Sequence, residues 1–555
     1  MKRWLLCVAL SAALPLAVAQ DTGTLPDMGS SAGELLTPAQ ERAYGGMMVR
    51  QLRGYGMVLD DPLLEGYIEA LGYRLASRSD QPRQAFTFFL MRSRQVNAFA
   101  TIGGYIGTNA GLILTAERED EVAAVLAHEI AHVTQRHVLR AVEQAQRDQL
   151  PIMLGMLGAI LAASQSGSGD GIQAAIAGGM SLMAQRQINY TRSNEHEADR
   201  LGIQTLARAG YEPVAMADFF ARMERQMRGN TGGAQLPEYL RSHPVTTTRI
   251  SEAKARAEQI GSTCSPLQDS SEDTPGNRSV APCSSSFALA APRRQPNPLL
   301  PDYVTEAISD TTLAPELFGL ARERLRVLTA ASAAEAAAEY QRLRNADEST
   351  FTPAQRYGHA LALSLAGQSR QAGSEFGQLA QTYPQLYWIE LAQAENEHRS
   401  GLRAASQARY EKLLRERPHN TAITLSYAAA LAEYGNVEAA RTAQELLRPL
   451  LTAHGHDPAF QRTFARASEV AGDTVRAAEA HAEVAWLNGR ADDALGQLQR
   501  LKNTPELDFY QRARIDARIA SIMPDALEQQ RQNQRGASNR LDAETGLQAP
   551  ALRLR

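Results

Sequence analysis

Five glycines in the C-terminal half of this 555-residue chain keep a register that few folds can supply. Gly367, Gly401 and Gly435 are spaced by 34 and 34 residues; Gly472 follows after 37, and Gly489 after 17. An alanine stands five residues past four of them (Ala372, Ala440, Ala477, Ala494), and a large side chain nine past three (Phe376, Tyr410, Leu498). Pro384 and Pro418 each fall 17 after their glycine. Glycine at the turn of a helical hairpin, paired small and large residues where hairpins meet, and proline beyond the second helix together specify stacked hairpins. A plain bundle has no reason to repeat that register. The final spacing, half of the others, implies one helix shared by two hairpins.

This pattern resembles the tetratricopeptide repeat, which implies an all-α solenoid over residues 302–523 with a concave surface for binding other proteins. A stretch dense in Ser, Pro, Asp and Gly, without apolar period, reads as a linker over 261–301. It separates the array from a first unit at 20–260, and 524–555 reads as a polar tail. Residues 1–19 have the layout of a signal peptide. Lys2 and Arg3 precede the apolar run Leu5 to Leu16, and Ala17-Val18-Ala19 offers cleavage after Ala19. That run is too short for a permanent membrane span. Export would leave Cys264 and Cys283 in an oxidising compartment, where a bridge would close a loop of about 20 residues and stabilise by roughly 3 kcal/mol. Two free thiols in a loose segment are the alternative. A formal charge of -4 offers no basic patch for nucleic acid.

The first unit is α+β. Residues 38–53 and 62–77 read as helices. "AFTFFLMRS" and "QVNAFATIGGYIGTNAGLI" read as strands, the second bent at Gly103-Gly104. The two apolar halves of 151–184, parted by a Gly/Ser stretch, fit either a pair of buried helices or a mobile lid that touches a membrane protein.

The chemistry is concentrated in "EDEVAAVLAHEIAHVTQRH" (119–137), which holds three of the chain's 11 histidines. Val122, Val125 and Leu126 at helical spacing, with no Gly or Pro from 112 to 150, make it a helix. His128 and His132 then share a face one turn apart and can bind one zinc ion, while Glu129 reaches a polarised water from the flank as general base. His137 falls on the opposite face and reads as structural. Two histidines leave one ligand to find. In "NEHEADRLG" (194–202), Glu195 shares a face with the small Ala198 and Gly202, which permits close approach to the histidine helix. Glu197 shares a more solvated face. Glu195 is therefore the expected third ligand, His196 the lesser option. Asp199 is placed to hydrogen-bond a ligand histidine.

"HEIAHVTQRH" followed some sixty residues later by "NEHEADRLG" resembles the HtpX-type gluzincin peptidases, and nearly the whole mature chain resembles the exported members with a repeat array. The resemblance implies a zincin-like metallopeptidase domain ahead of the tetratricopeptide solenoid. One Zn2+ per chain would be held by His128, His132 and Glu195, with Glu129 as base and Asp199 supporting. It implies a periplasmic endopeptidase acting on unfolded or stalled outer-membrane beta-barrel proteins, with the array on the barrel assembly machinery. Strand 96–107, including Asn97, Ala98, Phe99, Gly103, Gly104 and Tyr105, would be the edge to which an extended substrate adds. It also implies that His243, before a proline in "RSHPVTTTR", closes over the metal or steadies the transition state. Gly232-Gly233 and Pro237 would be the hinge that delivers it. The rival reading is a scaffold or chaperone with its site mostly closed.

Overall fold

A computed structural model of the chain describes residues 36–165, 169–229, 238–263 and 316–544. The expected signal peptide at 1–19, Cys264 and Cys283, and the expected hinge at Gly232, Gly233 and Pro237 lie outside the described residues.

Helix α1 (Pro38–Gly54) starts where Thr37 and Gln40 cap each other, Thr37 Oγ1 accepting from the Gln40 amide and Gln40 Oε1 from the Thr37 amide. Asp61 caps α2 (Pro62–Ala76) by accepting from the Leu64 amide at 3.1 Å. Leu64, Ile68, Leu71 and Leu75 recur at helical spacing on α2 and are buried against the sheet and α4.

The sheet corrects the single bent strand expected at 95–113. That stretch forms β2 (Ala98–Ala100), a turn, β3 (Tyr105–Asn109) and the short helix α3 (Ala110–Thr115). With β1 (Thr87–Met91) the order is β1-β3-β2, β3 lying parallel to β1 and antiparallel to β2. The reversal needs glycine: Gly103 and Gly104 both sit at φ 85°, and a Cβ on Gly104 would lie 2.1 Å from the Ala85 carbonyl oxygen. Tyr105 is thus on the central strand, Gly103 and Gly104 are in the turn, and Asn97 just precedes β2. Of the six residues expected on an edge, only Ala98 and Phe99 are on an outer strand.

Behind the sheet runs α4 (Glu119–Thr134), buried along most of its length. Then come α5 (His137–Gln165), α6 (Gly169–Arg208), α7 (Ala215–Gly229), α8 (Glu238–Ser242) and α9 (Thr247–Thr263). The paired ends of α5 and α6 are the apolar halves of 151–184. Among the described side chains there, Ile152 is buried while Met153, Met180 and Leu182 are exposed, Met180 by 64 %, so both apolar halves present side chains to solvent. No helix among the described residues is long and apolar enough to cross a membrane.

From Glu316 onward the described chain is helical, and the five glycines all lie at inter-helix turns with φ between 72° and 82°. Helix Thr474–Leu487 lies between the turns of Gly472 and Gly489 and packs on both neighbours. The alanines named at the fifth offset, and Phe376, Tyr410 and Leu498 at the ninth, are buried. Where alanine is absent, Ser406 takes the place, its hydroxyl donating to the Ala394 carbonyl at 2.9 Å. Residues 524–544 continue helix Phe509–Glu544, and the first of them are packed: Ala526 is buried and Asp525 accepts from Arg50 of α1 and Trp486.

The two halves clasp each other. Helix Glu316–Leu328 packs on α2 and α3, and its Arg324 forks onto Asp61 at 2.8 and 2.7 Å, both side chains buried. Arg94 donates to the Arg326 carbonyl at 2.7 Å. Between the halves lies a cavity of about 600 Å³ lined by Arg53, Glu65 and Glu69 on one side and His454, Asp457 and Trp486 on the other.

Candidate metal centre

Four side chains from two helices and a loop converge: His128 and His132 of α4, Glu195 of α6, and His243 just after α8. One donor atom from each lies within 4.8 Å of the others, and all four residues are buried. This grouping follows from local structure. On α4 the two histidines are one turn apart and both Nε2 atoms face the same point, 3.0 Å from each other. Helix α6 can bring Glu195 in because Gly202 has no side chain. A Cβ there would lie 3.1 Å from the His128 amide nitrogen, tighter than nearly all real contacts. Glu195 Oε2 and Oε1 lie 3.4 Å and 3.5 Å from the Nε2 atoms of His128 and His132. His243 Nδ1 is 3.0 Å from Glu195 Oε1 and 3.3 Å from His128 Nε2, and its ring stacks on Tyr239.

The surrounding charges orient this group. Arg249, which the sequence reading did not single out, forks onto Asp199 at 2.7 and 2.8 Å and reaches Glu195 Oε2 at 2.9 Å. Asp199 Oδ1 is 3.0 Å from His128 Nδ1, at an angle short of a well-formed hydrogen bond. Burial pushes the carboxyls of Glu195 and Asp199 up, but the close approach of His128 and His243 to the one, and of Arg249 and His128 to the other, outweighs it and holds both below the ordinary range. Burial also works against a charged His128, yet Asp199 and Glu195 raise it; burial, then the His128 charge, drive His132 down. Three imidazoles and a carboxylate are thus crowded onto one point, an arrangement that suits a divalent cation.

Two observations fit a metal to these residues. The donor set, His, His and carboxylate with a further His, is that of a zinc-type site. Glu129, 1 % exposed, has a buried Oε1 with no hydrogen-bond partner, 3.5 Å from His243 Nε2. A buried carboxylate oxygen is costly to leave unpaired and fits an atom that must receive a proton beside the centre.

His137 corrects the sequence reading. Helix α4 ends at Thr134, and Arg136 adopts the left-handed φ of 54° that turns the chain into α5. His137 is therefore not on the far face of one continuous helix; its Nδ1 lies 2.8 Å from His132 Nδ1. Glu197 binds His137 and Arg140 rather than the centre, and His196 pairs with Glu252 away from it. Leu201, one turn on from Glu197, is buried against Ala131 and Ala198, so the face of Glu197 is not solvated throughout.

Residues 62–257, α2 through most of α9, match peptidase family M48. A beta-barrel assembly-enhancing protease of Yersinia pestis is 31 % identical over 506 residues, 90 % of this chain and 91 % of that one. The chain belongs to the beta-barrel assembly-enhancing protease family. A putative member from Vibrio cholerae is 44 % identical over 261 residues, 46 % of this chain and 52 % of its own length. The Escherichia coli K12 member is 42 % identical over 244 residues, 44 % and 49 %. Against these last two the chain spans about half the relatives' length. The family likeness drawn from the two motifs is borne out, and the M48 match encloses every residue of the centre.

Proposed function

We propose that this chain is a zinc-dependent endopeptidase, exported to the periplasm, that acts on unfolded or stalled outer-membrane beta-barrel proteins. The observation that carries the reading is the convergence of His128, His132 and Glu195 beside the unpaired oxygen of Glu129. A bound zinc ion would act as Lewis acid on a water and on the substrate carbonyl. The chain's own residues do the rest. Arg249 holds Glu195 and Asp199 in place, Asp199 backs His128, and Glu129 takes the proton of the attacking water and passes it to the leaving amine. The outer strand β2 offers its main chain to an extended substrate. The helical half is read as a tetratricopeptide solenoid that binds the barrel assembly machinery, in keeping with the relatives' name.

Glu129→Gln is expected to keep about one zinc per chain, measured by elemental analysis, and to lose cleavage of unfolded protein by at least about 100-fold. Cleavage by Glu129→Gln at the wild-type rate would remove the mechanism. One observation favours the second reading, a scaffold or chaperone with a closed site: His243 lies against Glu195, His128 and Glu129, on the centre itself. Full complementation of a deletion strain by Glu129→Gln would decide for it.

A further inference from the structure

His128 has a carboxylate behind it, but His132 has another imidazole. His132 can donate a lone pair from Nε2 into the centre only if, as a neutral ring, it carries its proton on Nδ1. That nitrogen is 2.8 Å from His137 Nδ1. Two Nδ1 atoms at this distance share a single proton, so its ownership decides which nitrogen of His132 is free.

The next contact settles the direction. His137 Nε2 lies 3.1 Å from Glu197 Oε2, a carboxylate oxygen that can only accept while ionised. Arg140 donates to the same oxygen at 2.7 Å, so that oxygen faces two donors. His137 therefore holds its proton on Nε2 and donates it to Glu197. This leaves His137 Nδ1 as an acceptor, and the proton between the two rings belongs to His132. The reverse direction would put the His132 proton on Nε2, aimed at His128 Nε2 3.0 Å away, and the ligand would be lost.

We infer that His137 and Glu197 are positioning residues that fix the metal-binding tautomer of His132, a relay of imidazole and carboxylate where His128 uses Asp199 alone. The backbone is built for it. Arg136 is the one non-glycine residue at positive φ among the described residues, and its side chain is pinned by Glu41 of α1. A strained residue held in place from elsewhere marks a constraint on its neighbours. Here the constraint is the return of His137 to the face that α4 would otherwise have turned away.

This inference rests on the metal-centre reading, and the test separates the two. Zinc affinity of the full chain would be measured by competition with a chromophoric chelator, alongside the melting temperature of the metal-free protein. His137→Leu, which accepts nothing, is expected to bind zinc about 10- to 100-fold more weakly. His137→Gln, whose side-chain oxygen can take the same proton, should stay within about 3-fold of wild type, because the acceptor is preserved. Wild-type affinity in His137→Leu overturns the relay, and so do equal losses in Leu and Gln variants with matching drops in melting temperature. If the wild type binds no zinc, or His132→Ala binds it as tightly, the metal centre itself is refuted and the relay with it.

Discussion

His243 stacks on Tyr239, whose ring is buried, and reaches toward both Glu195 and Glu129. Nothing about an isolated histidine in a loop foretells this; only the resemblance carried by the motifs singled it out. Arg249, six residues on, carried no signal at all, since its partners Asp199 and Glu195 are some fifty residues away in the chain. If the site is closed as the second reading has it, His243→Ala removes a ring that lies 3.5 Å from Glu129. Several-fold faster cleavage of unfolded protein with zinc content unchanged is expected. A fall in activity with zinc retained would instead make the imidazole a donor to the developing oxyanion.

Two of the glycines of helix α6 have opposite consequences. Gly178 has open space where a Cβ would go, whereas Gly202 faces the His128 backbone and Met216. Gly178→Ala is expected to stabilise by about 0.5–1 kcal/mol, the helical entropy of alanine over glycine. Gly202→Val is expected to destabilise by about 1–3 kcal/mol through overpacking. It should also weaken zinc binding by pushing Glu195 off α4. Thermal melts and chelator competition read both effects. The importance of Gly202 was legible, because a small residue in step with a ligand on one helix face implies close approach. The glycine register of the helical half was legible for a related reason: each of these inter-helix turns has a left-handed backbone, and glycine adopts it without strain. His137 was misread because helical periodicity was carried through Arg136. Arginine gives no sign of a left-handed turn, and the pin that holds it, Glu41, lies 95 residues earlier. The strand at 95–113 was legible as extended chain, but not its division, which depends on the Glu41 and Ala85 carbonyls crowding Gly103 and Gly104.

At the scale of the molecule, Asp61 serves two masters. It could be read as a helix cap, but its ion pair with Arg324, 263 residues away, could not. The cavity beside that clasp collects carboxyls. Burial first, then the charge of Asp457, pushes Glu69 from its ordinary 4.5 up to about 7, and burial with Asp457 and Asp60 raises Glu65 despite Arg53. A raised carboxyl favours the folded state fully below pH 4.5. That contribution is lost as pH climbs through about 7, because the unfolded chain ionises first. For Glu69 the difference is at most about 3 kcal/mol, less to the extent that water fills the cavity. Glu69→Gln should therefore raise the melting temperature at pH 8 and leave it nearly unchanged at pH 4.5. An equal rise at both would rule out ionisation as the cause. The outer strand sets a different limit. β2 is three residues long, a ledge of about 10 Å. Any extended chain that adds to it gains only a few main-chain hydrogen bonds, each worth about 1 kcal/mol net, which amounts to millimolar holding at best. Such a ledge discriminates by residence time. A polypeptide that merely drifts past leaves before anything can happen to it, and one tethered elsewhere on the same molecule returns again and again at high local concentration.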